Sequence, residues 1–174
     1  MNKRFEIGRQ IYNSLVNVTQ KRYKEMIKIK KYRELMSSLT GNKKTDKDIW
    51  KQINDIRKQY GMSEYSFHKD VKMMQKHFKD NIDSLTARKI ATTLWKSYEK
   101  FLYGNGKKVY YKKYGTLDSL EGKSNGSGIR FKDDMIFWNG LEIPVIIDYN
   151  NYYEYQAMQC KICYNRIVRK FIRN

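Results

Sequence analysis

Proline is absent before position 144, and Pro144 is the only one in the chain. Proline ends helices more firmly than any other residue, so the first hundred residues depend on glycine and polar breaks to divide them. Those breaks are few. Residues 3 to about 38 hold one glycine, and Ile11, Leu15 and Val18 recur at helical spacing with Tyr12, Val16, Tyr23 and Ile27 beside them. The opposite face carries Arg9, Lys21, Lys24, Lys28 and Lys31. Ten basic and three acidic residues up to Met36 leave this stretch at +7. The expectation is one long basic helix that stops at SLTGNKKTD.

Three shorter helices follow. Thr45 with Asp48 marks a start, Ile49, Trp50, Ile53, Ile56 and Tyr60 form an apolar stripe, and Gly61 stands at the stop. Ser63 opens the next, with Tyr65, Phe67, Val71, Met74 and Phe78 as candidates for burial. Ser84 opens the last. There Leu85, Ile90, Leu94, Trp95, Tyr98 and Leu102 cover so much of the circumference that this helix is expected to be the most buried.

Past Tyr103-Gly104-Asn105-Gly106 the period changes. Val109 to Tyr111 is strand-like, Arg130 to Trp138 reads as two strands around an Asp133-Asp134 turn, and Asn139-Gly140 is a second turn. Leu141 to Ile147 contains Pro144, which suits an edge strand, and Tyr155 to Arg173 alternates in part. The fold class expected is therefore α+β. A bundle of about four helices over residues 1–104 precedes an antiparallel, partly open, barrel-like β unit over 105–174.

Thirty-six Lys and Arg against eighteen Asp and Glu give a net charge of +18, and fifteen Tyr accompany it. So large an excess repels itself unless a polyanion or an acidic surface compensates. Cations bind phosphate and rings stack on bases, which points to RNA or single strands. A solvated basic surface is the alternative. Three stretches concentrate the signal. Residues 105–113 hold Lys107, Lys108, Tyr110, Tyr111, Lys112 and Lys113, and residues 161–174 hold five cations, among them Arg166, Arg169 and Lys170, with no acid. Between them lies SLEGKSNGSGIRF (119–131), with Lys123, Ser124, Asn125 and Arg130, followed by Lys132.

Gly122-Lys123-Ser124 imitates the end of a phosphate-binding loop, but the glycine required five positions earlier is Leu117. The glycines after Lys123 also oppose the helix such a loop must open. Nucleotide hydrolysis is not expected, and the stretch reads as a mobile turn carrying a cation.

Other chemistry has weak support. Cys160 and Cys163 are half a zinc site with no second pair, and His68 and His77 face nearly opposite ways on a helix. Asp133, Asp134, Glu142, Asp148 and Glu154 are the candidates for a metal-dependent nuclease, but turn duty suits the first two better. The expectation is no cofactor, no metal and no catalytic residue. No leader is visible in MNKRFEIGRQ, and no window approaches the roughly 20 apolar residues of a membrane span. A cytoplasmic protein without a membrane partner is expected.

Several segments together resemble the N-terminal half of OrfB/TnpB-type insertion-sequence proteins, RNA-guided nucleases related to compact type V CRISPR effectors. They are RQIYN (9–13) with the basic helix behind it, LWKSYEKF (94–101), SLEGKSNGSGIRF, and IPV (143–145) ahead of IVRKFIRN (167–174). The resemblance implies a helical recognition lobe with a β wedge domain, gripping guide-type RNA and target DNA. It places the helix of Tyr12 and Asn13 toward DNA and the wedge strands toward RNA. It also implies a prokaryotic, nucleoid-associated setting. The nuclease domain that follows in that family has no counterpart here, so cutting would fall to a catalytic partner chain. A basic protein–protein regulator is the competing reading.

Overall fold

The computed structural model describes residues 1–42, 44–147, 158–165 and 170–173; of residues 165 and 170–173 it describes the backbone only. The helices are α1 (Asn2–Met26), α2 (Lys30–Ser37), α3 (Lys47–Gln59), α4 (Glu64–Lys76) and α5 (Ser84–Leu102). The strands are β1 (Ser119–Glu121), β2 (Arg130–Lys132), β3 (Met135–Trp138), β4 (Leu141–Pro144), β5 (Lys161–Asn165) and β6 (Lys170–Arg173). The chain is α+β, as expected.

The long first helix is in fact two. Ile29 is extended (φ −67°, ψ 123°) and turns the chain between α1 and α2. No glycine or proline causes the turn. It brings Tyr32 into the core against Arg57 of α3 and leaves Met26 fully buried. Arg57 is itself buried, donates to the Leu102 carbonyl at 2.8 Å, and lies 5.4 Å from the Trp50 ring and 4.8 Å from that of Tyr103. The two rings touch each other, with centroids 5.0 Å apart, and the guanidinium sits beside both, its N–H groups taken up by Tyr32, Asn54 and Leu102. It ties α2, α3 and the end of α5 together.

In α1, Phe5, Ile7, Ile11, Tyr12, Leu15 and Val16 form the buried face, and α5 packs against α1 and α4. Gly8 is the small residue that admits β1: a Cβ there would sit 3.0 Å from the side chains of Leu117 and Leu120. Arg22 of α1 pairs with Asp70 of α4. Ser63 caps α4 and Ser84 is the first residue of α5, as expected. The cap itself is Asp83, which accepts from the amides of Leu85 and Thr86 at 2.9 Å.

The strands form two separate three-stranded antiparallel sheets, ordered β2-β3-β4 and β1-β5-β6. The barrel-like unit is thus corrected: among the described residues no sheet closes on itself. The first sheet is a meander whose turns fall where the sequence places them. Asp133, Asp134 and Asn139 have φ of 48°, 56° and 47°, with Gly140 at 81°. Paired left-handed residues match the twist of a two-residue hairpin. Pro144 ends β4 at an edge. In the second sheet Leu120 pairs with Ile162, both buried. One apolar cluster runs from α1 and α5 through Leu120, Ile136, Trp138 and Ile162. No helix among the described residues is long and apolar enough to cross a membrane.

Candidate nucleic-acid interface

Residues 107–113 are not a strand. The backbone joins no ladder, because side chains of α1 take the place of a neighbouring strand. Asn13 does most of this: its Oδ1 accepts the Lys112 amide at 2.8 Å, and its Nδ2 donates to the Lys112 carbonyl at 2.9 Å. One carboxamide thus satisfies both backbone groups of one residue, as a paired strand would. Arg9 donates to the same carbonyl at 3.0 Å, and Gln20 to that of Val109 at 3.1 Å. Val109 is buried. The segment is therefore a strap, fixed along α1 by its backbone.

Fixing the backbone turns the other side chains outward. Tyr110, Tyr111 and Tyr114 are 66%, 49% and 81% exposed, and Lys107, Lys108 and Lys113 are exposed beside them. Lys108 Nζ lies 5.9 Å from the centre of the Tyr110 ring. Half-buried Lys112 places its Nζ 5.4 Å from that of Tyr12. Rings with open faces, spaced among cations on a fixed backbone, have the composition of a base-stacking platform.

The expected roles of Arg9, Tyr12 and Asn13 are corrected. Asn13 and Arg9 hold the strap, and Arg9 also grips Glu6, whose carboxyl its hydrogen bonds draw below the ordinary range. Tyr12 is 8% exposed, and burial raises its hydroxyl pKa. A ring so covered cannot stack on a base from outside. Farther along α1, Lys21 and Lys24 are exposed, as is Lys28 in the turn just past its end, which pairs with Glu25 at 2.8 Å. Lys24 follows Gln20 at a four-residue step, so it prolongs the strip on which the strap lies.

The mobile turn at SLEGKSNGSGIRF is also corrected. The Gly122 and Asn125 amides donate to the carbonyls of Cys160 and Met158, and the Asn125 side chain bonds both backbone groups of Phe131, at 2.6 and 2.8 Å. Gly128 (φ +76°) lies where a Cβ would meet Asp83 Oδ1 at 2.9 Å, and Ile129 is fully buried. Gly128 and Gly122, where a Cβ would sit 3.0 Å from the Ile129 carbonyl, serve close packing. Ser124, half-buried, bridges to Ser127. Lys123, Arg130 and Lys132 are exposed, with Lys132 3.6 Å from Asp133, but they line neither of the hollows beside the strap.

Of the third basic stretch, Lys161 borders the strap region together with Lys112. Arg166 and Arg169 lie outside the described residues, as do Asp148 and Glu154, and Lys170 is a backbone position in β6. Lys89 and Lys100 of α5 and Gln20 of α1 also border or hold the strap and escaped the sequence reading. Lys89 and Lys100 carried a signal in their helical spacing on the face of α5 away from Leu94.

Among the described residues no three His, Cys, Asp or Glu side chains cluster as a metal site. His68 bonds Thr92 at 2.9 Å, and Thr92 donates to Glu64 at 2.8 Å, joining α4 to α5. Asp133 and Asp134 form the β2–β3 turn. No family model, curated protein or solved structure matches the chain.

Proposed function

We propose that this chain is a non-catalytic nucleic-acid-binding module that holds its ligand on the strap at residues 107–114. The observation that carries the reading is the conjunction of a backbone tied to α1 through Asn13 and outward-facing Tyr110, Tyr111 and Tyr114 among lysines. A fixed platform loses less conformational freedom on binding than a floppy one. Its rings supply contact energy that does not depend on salt, and the surrounding charge supplies the part that does. The net charge of +18 drives encounter with any polyanion. The resemblance to OrfB/TnpB-type proteins favours a guide-type RNA as the ligand.

The test separates rings from charge. Fluorescence anisotropy is followed for RNA and DNA oligonucleotides with the intact chain and with Tyr110→Ala/Tyr111→Ala/Tyr114→Ala, across a salt series. Each stacked base lost weakens binding by about 1–3 kcal/mol and leaves the salt dependence in place. Equal affinity in the variant would remove the strap from the interface. No binding of any nucleic acid by the intact chain would leave the regulator reading, in which the basic face meets an acidic protein.

A further inference from the structure

The strap does not lie flat on the helices. On its α5 side it leaves two hollows that both reach Tyr12. One, of about 280 Å³, is walled by Lys89, Thr93, Lys112 and Lys161; the other, of about 300 Å³, by Ser97, Lys100, Lys107, Lys108 and Tyr110. Lys89, Thr93, Ser97 and Lys100 follow one another at steps of four, four and three, so they make a single stripe on α5. From Lys89 to Lys100 the stripe spans about 16 Å at the rise of an α-helix. The hollows follow one another along the stripe and share Tyr12; facing the stripe stand Lys107 to Tyr110 of the strap in one, and Lys112 with residues 117–121 and Lys161 in the other, so that together they make one groove.

We infer that this groove is the path of a single-stranded nucleic acid, and that the chain prefers a single strand to a duplex. The inference rests on the nucleic-acid reading above and names the form of the ligand. Cations stand on both walls, so a strand between them meets charge from two sides. A duplex would meet only the rim. Tyr110 belongs to the wall and is 66% exposed, so its ring faces whatever enters. In a duplex each base is covered above and below by its neighbours, and only an unstacked base has a face to offer.

The groove is also polar along its length. At one end Lys89 is bound to Glu121 at 3.1 Å, and Asp118 lines the same hollow. At the other, no ion pair among the described residues engages Lys100, Lys107 or Lys108. The first hollow sets Lys112 and Lys161 beside these two acids, whereas the second holds three lysines and no acid, so phosphates are held most strongly at the Lys100 end.

The experiment compares a short unstructured strand with a hairpin duplex of the same composition. Each is titrated as RNA and as DNA against the full chain at several salt concentrations, and then against Lys100→Ala/Lys107→Ala/Lys108→Ala. The three lysines are exposed, and circular dichroism confirms that the variant is folded. The single strand should bind more tightly than the duplex. Its log–log salt slope should become shallower by roughly 2 units in the variant, at about 0.7 per single-strand phosphate contact. Lys123→Ala/Arg130→Ala, away from the groove, should leave that slope in place. If the duplex binds as well as the strand, or if the triple variant keeps the full slope while the tyrosine variant still weakens binding, the groove is overturned and the nucleic-acid reading survives. If neither form binds, both fall together.

Discussion

The indole of Trp138 donates to Asp83 Oδ2 at 3.1 Å, and this bond joins the end of β3 to the start of α5. Trp138 is fully buried, with the Arg4 guanidinium 5.0 Å from its ring, and Arg4 donates onward to the carbonyls of Asn81 and Asn139. Oδ2 also accepts the Thr86 hydroxyl at 2.6 Å, while Oδ1 accepts the two α5 amides. One carboxylate thus caps a helix with one oxygen and holds a sheet with the other.

That division of labour can be separated by mutation. Asp83→Asn keeps an oxygen for the cap but replaces the acceptor facing Trp138 with a donor. A buried indole N–H left unpaired costs about 1–3 kcal/mol. Asp83→Ala also loses the cap, a further ~1 kcal/mol. Chemical denaturation followed by tryptophan fluorescence should rank the proteins wild type, Asp83→Asn, Asp83→Ala. Equal stability of the two variants would mean that the cap contributes nothing.

Gly128 and Gly126 make a matched pair. At Gly128 the backbone is left-handed (φ +76°) and an added Cβ would press on the Asp83 carboxylate, 2.9 Å from Oδ1. At Gly126 the nearest atom is Ser124 Oγ at 3.9 Å. Gly128→Ala should destabilise by at least the 1–2 kcal/mol of left-handed strain. Gly126→Ala should fall within about 0.5 kcal/mol of wild type. A mobile turn would tolerate both changes alike, so thermal denaturation of the two variants measures how firmly the turn is seated.

Asp46 gives a pH signature to the loop before α3. Its carboxylate accepts from the Thr40 amide at 3.1 Å, the Thr40 hydroxyl at 2.9 Å and the Gly41 amide at 2.9 Å, and these bonds hold its pKa below the ordinary 3.8. A carboxyl whose folded pKa is depressed stabilises fully above its unfolded value and loses that contribution as pH falls through the folded one. Asp46→Asn should melt below wild type at neutral pH, and the gap should narrow as pH drops under 3.8. A gap of constant size from neutral pH to pH 3 would show that the charged form is not what the loop holds.

Much of this architecture was legible because local signals and tertiary packing agree. The helices over 47–59, 64–76 and 84–102 follow apolar periods bounded by Asp48, Ser63 and Gly61, and the meander follows two dipeptides that tolerate positive φ. Legibility ended where a tertiary contact overrides or imitates a local one. The turn at Ile29 is set by Tyr32 and Arg57, 25 positions apart, and no residue at the turn announces it. Val109 to Tyr111 has the composition of a strand, yet the partners of Val109 and of the neighbouring Lys112 are side chains of a helix 89 and 99 residues earlier. Glycines in SLEGKSNGSGIRF signal either freedom or close approach, and only the positions of Ile129 and Asp83 decide for the second at Gly122 and Gly128. The basic helix face was legible as charge, but the use of Arg9 and Asn13 inside the molecule was not, since a polar side chain facing a backbone looks the same in sequence as one facing solvent.

Asn13 is where fold and proposed function meet. Asn13→Ala removes both side-chain bonds to Lys112 and leaves only Arg9 at its carbonyl and Gln20 at that of Val109. Two net hydrogen bonds of about 0.5–1.5 kcal/mol each would be lost, and the Lys112 amide would exchange with solvent far faster. The bundle should remain folded, because Asn13 is half-buried and lies beside the apolar face, not within it. Charge is unchanged, so any loss of nucleic-acid affinity would come at constant salt dependence and would report the ordering of the strap. Asn13→Asp keeps the acceptor for the Lys112 amide but turns the donor that faces the Lys112 carbonyl into an acceptor. It should therefore release the strap as well, while adding a negative charge. Hydrogen exchange at residues 109–113, read beside anisotropy titrations of both variants, checks the chain of cause. Faster exchange with unaltered affinity would mean that the rings need no fixed backbone.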